Sequence, residues 1–241
     1  MVAQTNFDEA VFHGNWARCE RIASVVAECA STGAPLSILE IGCGTGEQLV
    51  TLARKFPHAN LTGIDISGQN IAVARDLLQR EAFNDRIVVI QADYVTQQLG
   101  SFDIIVSYST LHLIPASDVE LFSKLTNELA PGGVFINVIP FECFFNRALL
   151  LVRRAFRACR GRFTDALILQ MGKLLARNKL NDQQLREQVI YMYMLPERVE
   201  GHAVRDMLTQ RYGLRLEREQ LEPHTSLAQP RHLLVAYRKD A

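Results

Sequence analysis

Ile38-Leu39-Glu40-Ile41-Gly42-Cys43-Gly44-Thr45-Gly46 is the stretch on which the fold turns. Ile38, Leu39 and Ile41 give a short run that is apolar on both faces, as in a strand of a buried parallel sheet, with Glu40 near its carboxyl end. Gly42, Gly44 and Gly46 follow at alternate positions, where the missing Cβ lets the backbone turn tightly and approach a ligand. Residues 47–56 then read as a helix, so the turn aims a helix N-terminus at whatever binds there. A strand, a glycine turn and a helix in this order make a nucleotide-binding unit.

The spacing of the glycines separates two kinds of nucleotide. A dinucleotide-binding turn is usually G-x-G-x-x-G with a pyrophosphate on the helix N-terminus. Here it is G-x-G-x-G after Glu40, a carboxylate that suits an ammonium group better than a pyrophosphate. On these residues the chain resembles the class I S-adenosylmethionine-dependent methyltransferases, whose first motif is an acidic residue followed by G-x-G-x-G. The resemblance implies an α/β fold: a Rossmann-like three-layer sandwich with a mostly parallel seven-stranded sheet and an antiparallel last strand. It also implies S-adenosyl-L-methionine as cofactor and S-adenosyl-L-homocysteine as product, with Glu40, Gly42, Cys43, Gly44 and Gly46 among the cofactor-binding residues.

Further landmarks follow in order. Leu61 to Ser67 reads as a second strand ending in a carboxylate, and Asp65 falls 19 residues after Gly46. In that register Asp65 is expected to accept the ribose hydroxyls, with Ile66 beside it; alone, an Asp there would read as a cap or turn former. A third strand, Ile87 to Ile90, precedes Asp93 and Tyr94. The resemblance assigns Asp93 to the adenine amino group, and Tyr94 is placed to pack on the ring; Asp93 can also cap a short helix, and the two roles can coexist. In the fourth strand, Phe102 to Ser107, Asp103 reads as structural. Ser107 and Tyr108 stand at the strand's carboxyl end, beside the methyl group to be transferred. Leu129 to Gly133 reads as a helix end and a Pro-Gly turn before a fifth strand, Val134 to Ile139.

Composition fits a soluble enzyme. The 241 residues are 48% hydrophobic, enough to bury one core with a modest insertion, and the formal net charge is zero. A general nucleic-acid binder would show a basic excess, so no specific nucleic-acid partner is expected. Met1 to Glu9 has no basic residue or apolar run, and no stretch reaches membrane-span length, so the expected compartment is the cytoplasm. Cys19, Cys29, Cys43, Cys143 and Cys159 lack a metal-site spacing and read as reduced, mostly buried thiols with no metal.

The organisation divides into residues 1–36, an N-terminal helical lid segment; 37–139, the cofactor-binding core; 140–195, a helical cap; and 196–241, which rejoins the core sheet. Trp16, Cys19, Ala23, Val26 and Ala30 form one stripe of a leading helix over 15–31. Phe7, Phe12, His13 and Trp16 make an aromatic entry segment, either a lid over the cofactor or part of the core. The cap reads as three helices, over 144–160, 166–178 and from Asn181 or Asp182 to near Met194. In the first, Phe145, Leu149, Val152, Phe156 and Cys159 share a face, while Arg147, Arg153, Arg154, Arg157 and Arg160 occupy much of the remaining surface. That basic face is open to three readings: a solvated roof, a homodimer interface or anion-attracting wall, and peripheral membrane contact, the last not favoured. Phe141, Phe144 and Phe145 admit an apolar or lipid-like acceptor. Residues 196–211 read as a last helix, followed by strands over 214–221 and 232–238.

The mechanism implied is direct transfer. A sulfonium methyl is intrinsically electrophilic, so the protein has to hold a nucleophile in line and exclude water. If the acceptor is a hydroxyl, His112 is the candidate general base, with Tyr108 as a second catalytic candidate that can orient it; His112 can equally serve as a turn cap or core hydrogen-bonding group. The Asn/Asp-Pro-Pro-Tyr signature for planar nitrogens and the paired cysteines of cytosine-C5 enzymes are absent. The expected acceptor is a small molecule, methylated on oxygen or carbon. The alternatives are a non-catalytic partner subunit, which would typically have lost part of the acidic and glycine set, and an NAD-linked oxidoreductase, which would prefer the other glycine spacing.

Overall fold

In a computed structural model, the structure describes residues 11, 13–30, 35–176, 189–223 and 229–241. Seven strands form a single sheet: β1 (Ser37–Ile41), β2 (Asn60–Asp65), β3 (Ile87–Gln91), β4 (Phe102–Tyr108), β5 (Leu129–Pro140), β6 (Leu214–Leu221) and β7 (His232–Lys239). Their spatial order is β3-β2-β1-β4-β5-β7-β6. The first five pair in parallel, and β7 runs antiparallel between β5 and β6. The last strand therefore slots in as the resemblance implies. The order reverses between β1 and β4, and in an open α/β sheet ligands bind beyond the strand ends at that point.

One face of the sheet buries Ile38, Ile104, Val106, Val134 and Ile136 with α1 (Trp16–Cys29), α2 (Glu47–Lys55) and α3 (Gly68–Arg80). The other buries Leu39, Ile41, Ile105 and Phe135 against α4 (Asp118–Glu128) and α7 (His202–Asp206). The alternation along β1 and β4 is what lets one strand feed both layers. Asp103 has the structural role its position suggested: its Oδ2 accepts from Ser37 N and Oγ, both at 2.8 Å, tying the starts of β1 and β4 together.

Four local expectations change. The α1 stripe shifts: Cys19, Ile22, Ala23, Val25 and Val26 are buried, whereas Trp16 is 41% exposed with the Arg54 guanidinium 5.5 Å from its ring. β5 begins at Leu129, because Leu129 already pairs with Phe102 and the Pro-Gly segment is carried inside the strand. The second cap helix, α6 (Arg162–Ala176), starts ahead of Thr164 and Asp165. Residues 196–211 are not one helix. Glu197 N donates to His112 O at 2.7 Å and Glu200 N to Pro140 O at 2.7 Å, so tertiary partners take the amides a helix would have used. Helix begins only at α7, then widens into a π-helical turn at Met207–Arg211. The expected third cap helix lies mostly outside the described residues, which resume in helix at 189–193. Phe7 and Phe12 of the entry segment also lie outside them.

Asn146 pins the cap to the sheet. Asn146, in the first turn of α5 (Phe144–Ala158), donates from Nδ2 to Phe141 O and Arg231 O at 2.7 and 2.8 Å, and its Oδ1 accepts from Arg231 N at 2.7 Å. The cap also has a small core of its own, in which Ile168, Val189, Met192 and Tyr193 pack with Phe156 and Leu169.

Candidate active site

The glycine turn has the backbone its sequence calls for. Gly42, Gly44 and Gly46 have φ of +75°, +53° and +88°, a region closed to most side chains. Gly42 N and Cys43 N donate to Ile64 O at 2.8 and 3.1 Å, locking the turn to the end of β2. A Cβ on Gly42 would lie 2.1 Å from Thr110 Oγ1, so the turn presses directly against the segment that follows β4. Gly44 N donates to Asp65 Oδ2 and Ser67 N to Asp65 Oδ1, each at 2.9 Å. These bonds orient the half-buried carboxylate at the tip of β2, and the half-buried Ile66 follows it.

Glu40 is buried beneath the turn, and its Oε2 has no hydrogen-bond partner among the described residues. Burial raises its pKa well above the usual carboxylate range, neighbouring Glu47 and Asp65 raise it further, and Arg18 opposes them. A buried carboxyl oxygen without a partner suits a cationic or hydrogen-bonding ligand group. The Cys43 thiol is pushed well up, first by burial and then by Glu40 and Asp65, which keeps it protonated. Thr45 Oγ1 donates to Glu47 Oε2 at 2.6 Å, and His13 Nδ1 lies 3.6 Å from Glu47 Oε1, so the approach to α1 closes over this corner.

Asp93 and Tyr94 part company. Asp93 is half-buried at the carboxyl end of the sheet, where its Oδ1 accepts from Val95 N at 2.9 Å in a local cap. Tyr94 was expected to pack on an adenine ring, but it is buried in the core with Leu39, Ile64 and Phe122, under the Lys124 ammonium at 4.9 Å. Burial and the nearby Glu128 raise its pKa. Tyr94 opens the turn that Asp93 caps, and its ring lies in the core.

At the end of β4, Ser107 is fully buried with its Oγ unpartnered among the described residues, and Ser109 is held at φ +51°. Tyr108 carries the Arg18 guanidinium 4.0 Å above its ring. His112 sits in a 3₁₀ turn, Leu111–Leu113, buried, with no partner for Nδ1 among the described residues. Arg198 holds that turn: it donates to the carbonyls of Leu111, Ile114 (2.9 Å) and Ala116 (2.6 Å) and to Asp118 Oδ1 at 2.7 Å. The pKa of His112 is driven well below the usual imidazole range, first by burial and then by His232, Arg153 and Arg198.

The cap and the strands beside it contribute residues that sequence reasoning passed over. The periodic face of α5 was expected to bury Phe145, Leu149, Val152 and Phe156 and to leave its arginines outside. Instead Arg153 is buried at 3% exposure, between half-buried Leu149 and Phe156, whereas Val152 and Cys159 are exposed. Arg153 donates to Met194 O at 3.3 Å and lies 5.0 Å from the Tyr191 ring centroid. His232, at the start of β7, has its ring centroid 6.1 Å from that of His112. Its Nδ1 donates to Pro230 O at 2.8 Å, while Nε2 is buried without a partner among the described residues. Its pKa is lowered to about 4, mainly by burial. Asn137 on β5, paired in register with Ser107, likewise leaves Oδ1 unpartnered among the described residues. One signal was available: a lone arginine at i, i+4 and i+8 from Phe145 and Leu149 shares their face.

The strand order and the glycine-cradled switch point define a Rossmann-like nucleotide-binding protein of the methyltransferase topology. Residues 38–133 match the family model described as a methyltransferase domain. Trans-aconitate 2-methyltransferase of Deinococcus radiodurans is 33% identical over 129 residues, covering 53% of this chain and 47% of that protein. Malonyl-[acyl-carrier protein] O-methyltransferase of Bacillus cytotoxicus is 32% identical over 132 residues, covering 54% and 43%. The chain thus spans less than half the length of these curated relatives. Among solved structures, magnesium protoporphyrin IX methyltransferase from Synechocystis PCC 6803 with bound SAH superposes with a TM-score of 0.59 at 14% identity, over 93% of this chain and 83% of that one. Residues 38–133 are thus similar to a methyltransferase domain, and they sit in a fold shared with solved methyltransferases.

Proposed function

We propose that this chain binds S-adenosylmethionine at the glycine turn and transfers its methyl group to a small-molecule acceptor held between the sheet and the helical cap. The observation that carries the reading is the buried Glu40, its Oε2 unpartnered among the described residues, beneath three alternating positive-φ glycines, with Asp65 aimed by the same turn. In this reading Glu40 receives the ammonium end of the cofactor. The backbone of Gly42, Cys43, Gly44 and Gly46 lines it, Asp65 accepts the ribose hydroxyls, Ile66 covers the adenine, Asp93 receives the adenine amino group and Ser107 borders the methyl group. Tyr94 is left out, because its ring is already enclosed by the core.

When bound, the cofactor supplies a methyl carbon made electrophilic by the sulfonium. The remaining task falls to the chain: binding and orienting an acceptor oxygen or carbon and keeping water away. Residues 140–195 act as the acceptor-selecting cap, in keeping with the burial of Arg153 and the half-burial of Phe141 and Phe145. Tyr108 and His112 stand on the acceptor side. The matched relatives are named for different acceptors, and the match covers the cofactor core, so the cap is where acceptor choice would differ. No described helix is long and apolar enough to cross a membrane.

Calorimetric titration with S-adenosylhomocysteine, with NADH as the control, tests the reading. Micromolar binding of S-adenosylhomocysteine alone is the expected outcome; binding of NADH instead would return the turn to the oxidoreductases.

A further inference from the structure

Beyond the glycine turn, one side of the site is built from cations and neutral imidazoles that the cofactor does not require. Arg18 reaches it from α1, Arg153 from α5, His112 from the turn after β4 and His232 from β7. Arg18 lies over Tyr108 at 4.0 Å and Arg153 over Tyr191 at 5.0 Å, and both arginines bear electrostatically on Tyr191 and on His232. Ser107 Oγ and His112 Nδ1 are buried there without partners among the described residues, and both can donate. Glu222, which bears on Tyr108, is engaged by Arg21 at 3.1 Å. Glu40 answers Arg18 from beneath the glycine turn.

A buried guanidinium beside the Ser107 hydroxyl and the neutral His112 ring, each able to donate, is an arrangement for a planar anion. We propose that the acceptor presents a carboxylate, bound by Arg153 and Arg18 with a hydrogen bond from His112, and that this carboxylate is the group methylated. The inference rests on the methyltransferase reading above. Transfer to such an oxygen forms an O–CH3 bond as the C–S bond breaks; the electron pair stays on sulfur, the charges cancel, and no proton moves. The surroundings of His112 agree with a step that needs no base. A general base must become an imidazolium, and here burial, His232, Arg153 and Arg198 all resist that charge. As a neutral ring His112 can still donate a hydrogen bond. Its part is then to position the acceptor.

The test uses the full chain saturated with S-adenosylhomocysteine and titrated calorimetrically with octanoate and benzoate, each against its own amide. The expected result is that at least one carboxylate binds about tenfold or more tightly than its amide. Arg153→Gln should remove that preference while leaving S-adenosylhomocysteine affinity within about twofold, and Arg153→Lys should restore part of it. Equal binding of acid and amide, binding of neither, or an unchanged preference in Arg153→Gln would overturn the inference while the cofactor reading stands. If S-adenosylhomocysteine itself fails to bind the wild-type chain, both readings fall. Should Arg153→Gln fail to fold, Arg18→Gln provides the same comparison from the other cation.

Discussion

The two walls of the site carry opposite charge and reach it by different routes. On the glycine-turn wall, Glu40, Glu47 and Asp65 come from a continuous stretch of 26 residues, fixed by backbone hydrogen bonds and by positive-φ glycines. On the cap wall, Arg18, His112, Arg153 and His232 come from four distant segments and meet only through packing. One wall suits a cationic ligand and the other an anionic one. The difference teaches that the cofactor half is a local device, repeated wherever its short sequence recurs, whereas the acceptor half is a product of the whole chain.

The comparison breaks most sharply at Gly42. Gly42→Ala places a Cβ 2.1 Å from Thr110 Oγ1 and forces φ of +75° on an L-residue. We expect a loss of about 3 kcal/mol or more in stability, by denaturant melts, together with loss of S-adenosylhomocysteine binding. Gly132→Ala, at φ +72° with nothing within 4 Å, isolates the backbone part and should cost only about 1–2 kcal/mol. Equal losses in the two variants would show that the turn does not press on the β4 segment.

Arg198→Met probes the other wall. It leaves the carbonyls of Leu111, Ile114 and Ala116 without their shared donor, at an expected cost of about 2–3 kcal/mol. Methyl transfer should suffer more than cofactor affinity, because the turn it holds carries His112. A variant that lost cofactor binding and kept turnover at saturating cofactor would reverse that assignment. Asp65→Asn is the milder counterpart on the glycine side, expected to weaken S-adenosylhomocysteine by about 1–3 kcal/mol. Part of that reflects the loosened Gly44 amide.

How much of this was legible follows the same division. The β-α alternation, the glycine turn and the placement of Asp65 were legible because each depends on neighbours within one structural unit. The burial of Arg153 ran against its charge, and only its spacing from Phe145 and Leu149 hinted at it. His232 gave no local sign at all, since its partner His112 is 120 residues away. Residues 196–201 misled because their amides are claimed by Pro140 O and His112 O, acceptors that no helix propensity takes into account.

Acid titration sharpens the contrast, since the two walls respond with opposite sign. His232 is lowered to about 4 and His112 is lowered too, so the folded chain refuses protons that the unfolded chain takes up near 6.5. Their share of stability is complete above about pH 6.5 and is lost as pH falls toward 4. Glu40 is raised, so its share is present below the ordinary carboxylate pKa of 4.5 and is lost as pH rises through its folded pKa. Urea melts from pH 4 to 7 should therefore show a rising limb that flattens in His232→Gln. An unchanged limb would place the titrating group elsewhere.

The smallest effect is expected on the outside of the cap, and it tests whether the cap is finished as it stands. Phe163 is 94% exposed and Phe144 is 88% exposed, each on a helix whose other face packs inward. A side chain with no burial has little to lose, so Phe163→Ser and Phe144→Ser should each shift stability by less than about 0.5 kcal/mol. Neither should alter cofactor affinity, because neither touches the glycine turn. A fall of 2 kcal/mol or more in either, dependent on protein concentration, would mean that these rings are covered in solution by a second chain. Sedimentation velocity on wild type and both variants separates the outcomes: one unchanged species makes the cap self-sufficient, and a dimer dissociated by either serine makes its outer face a subunit interface.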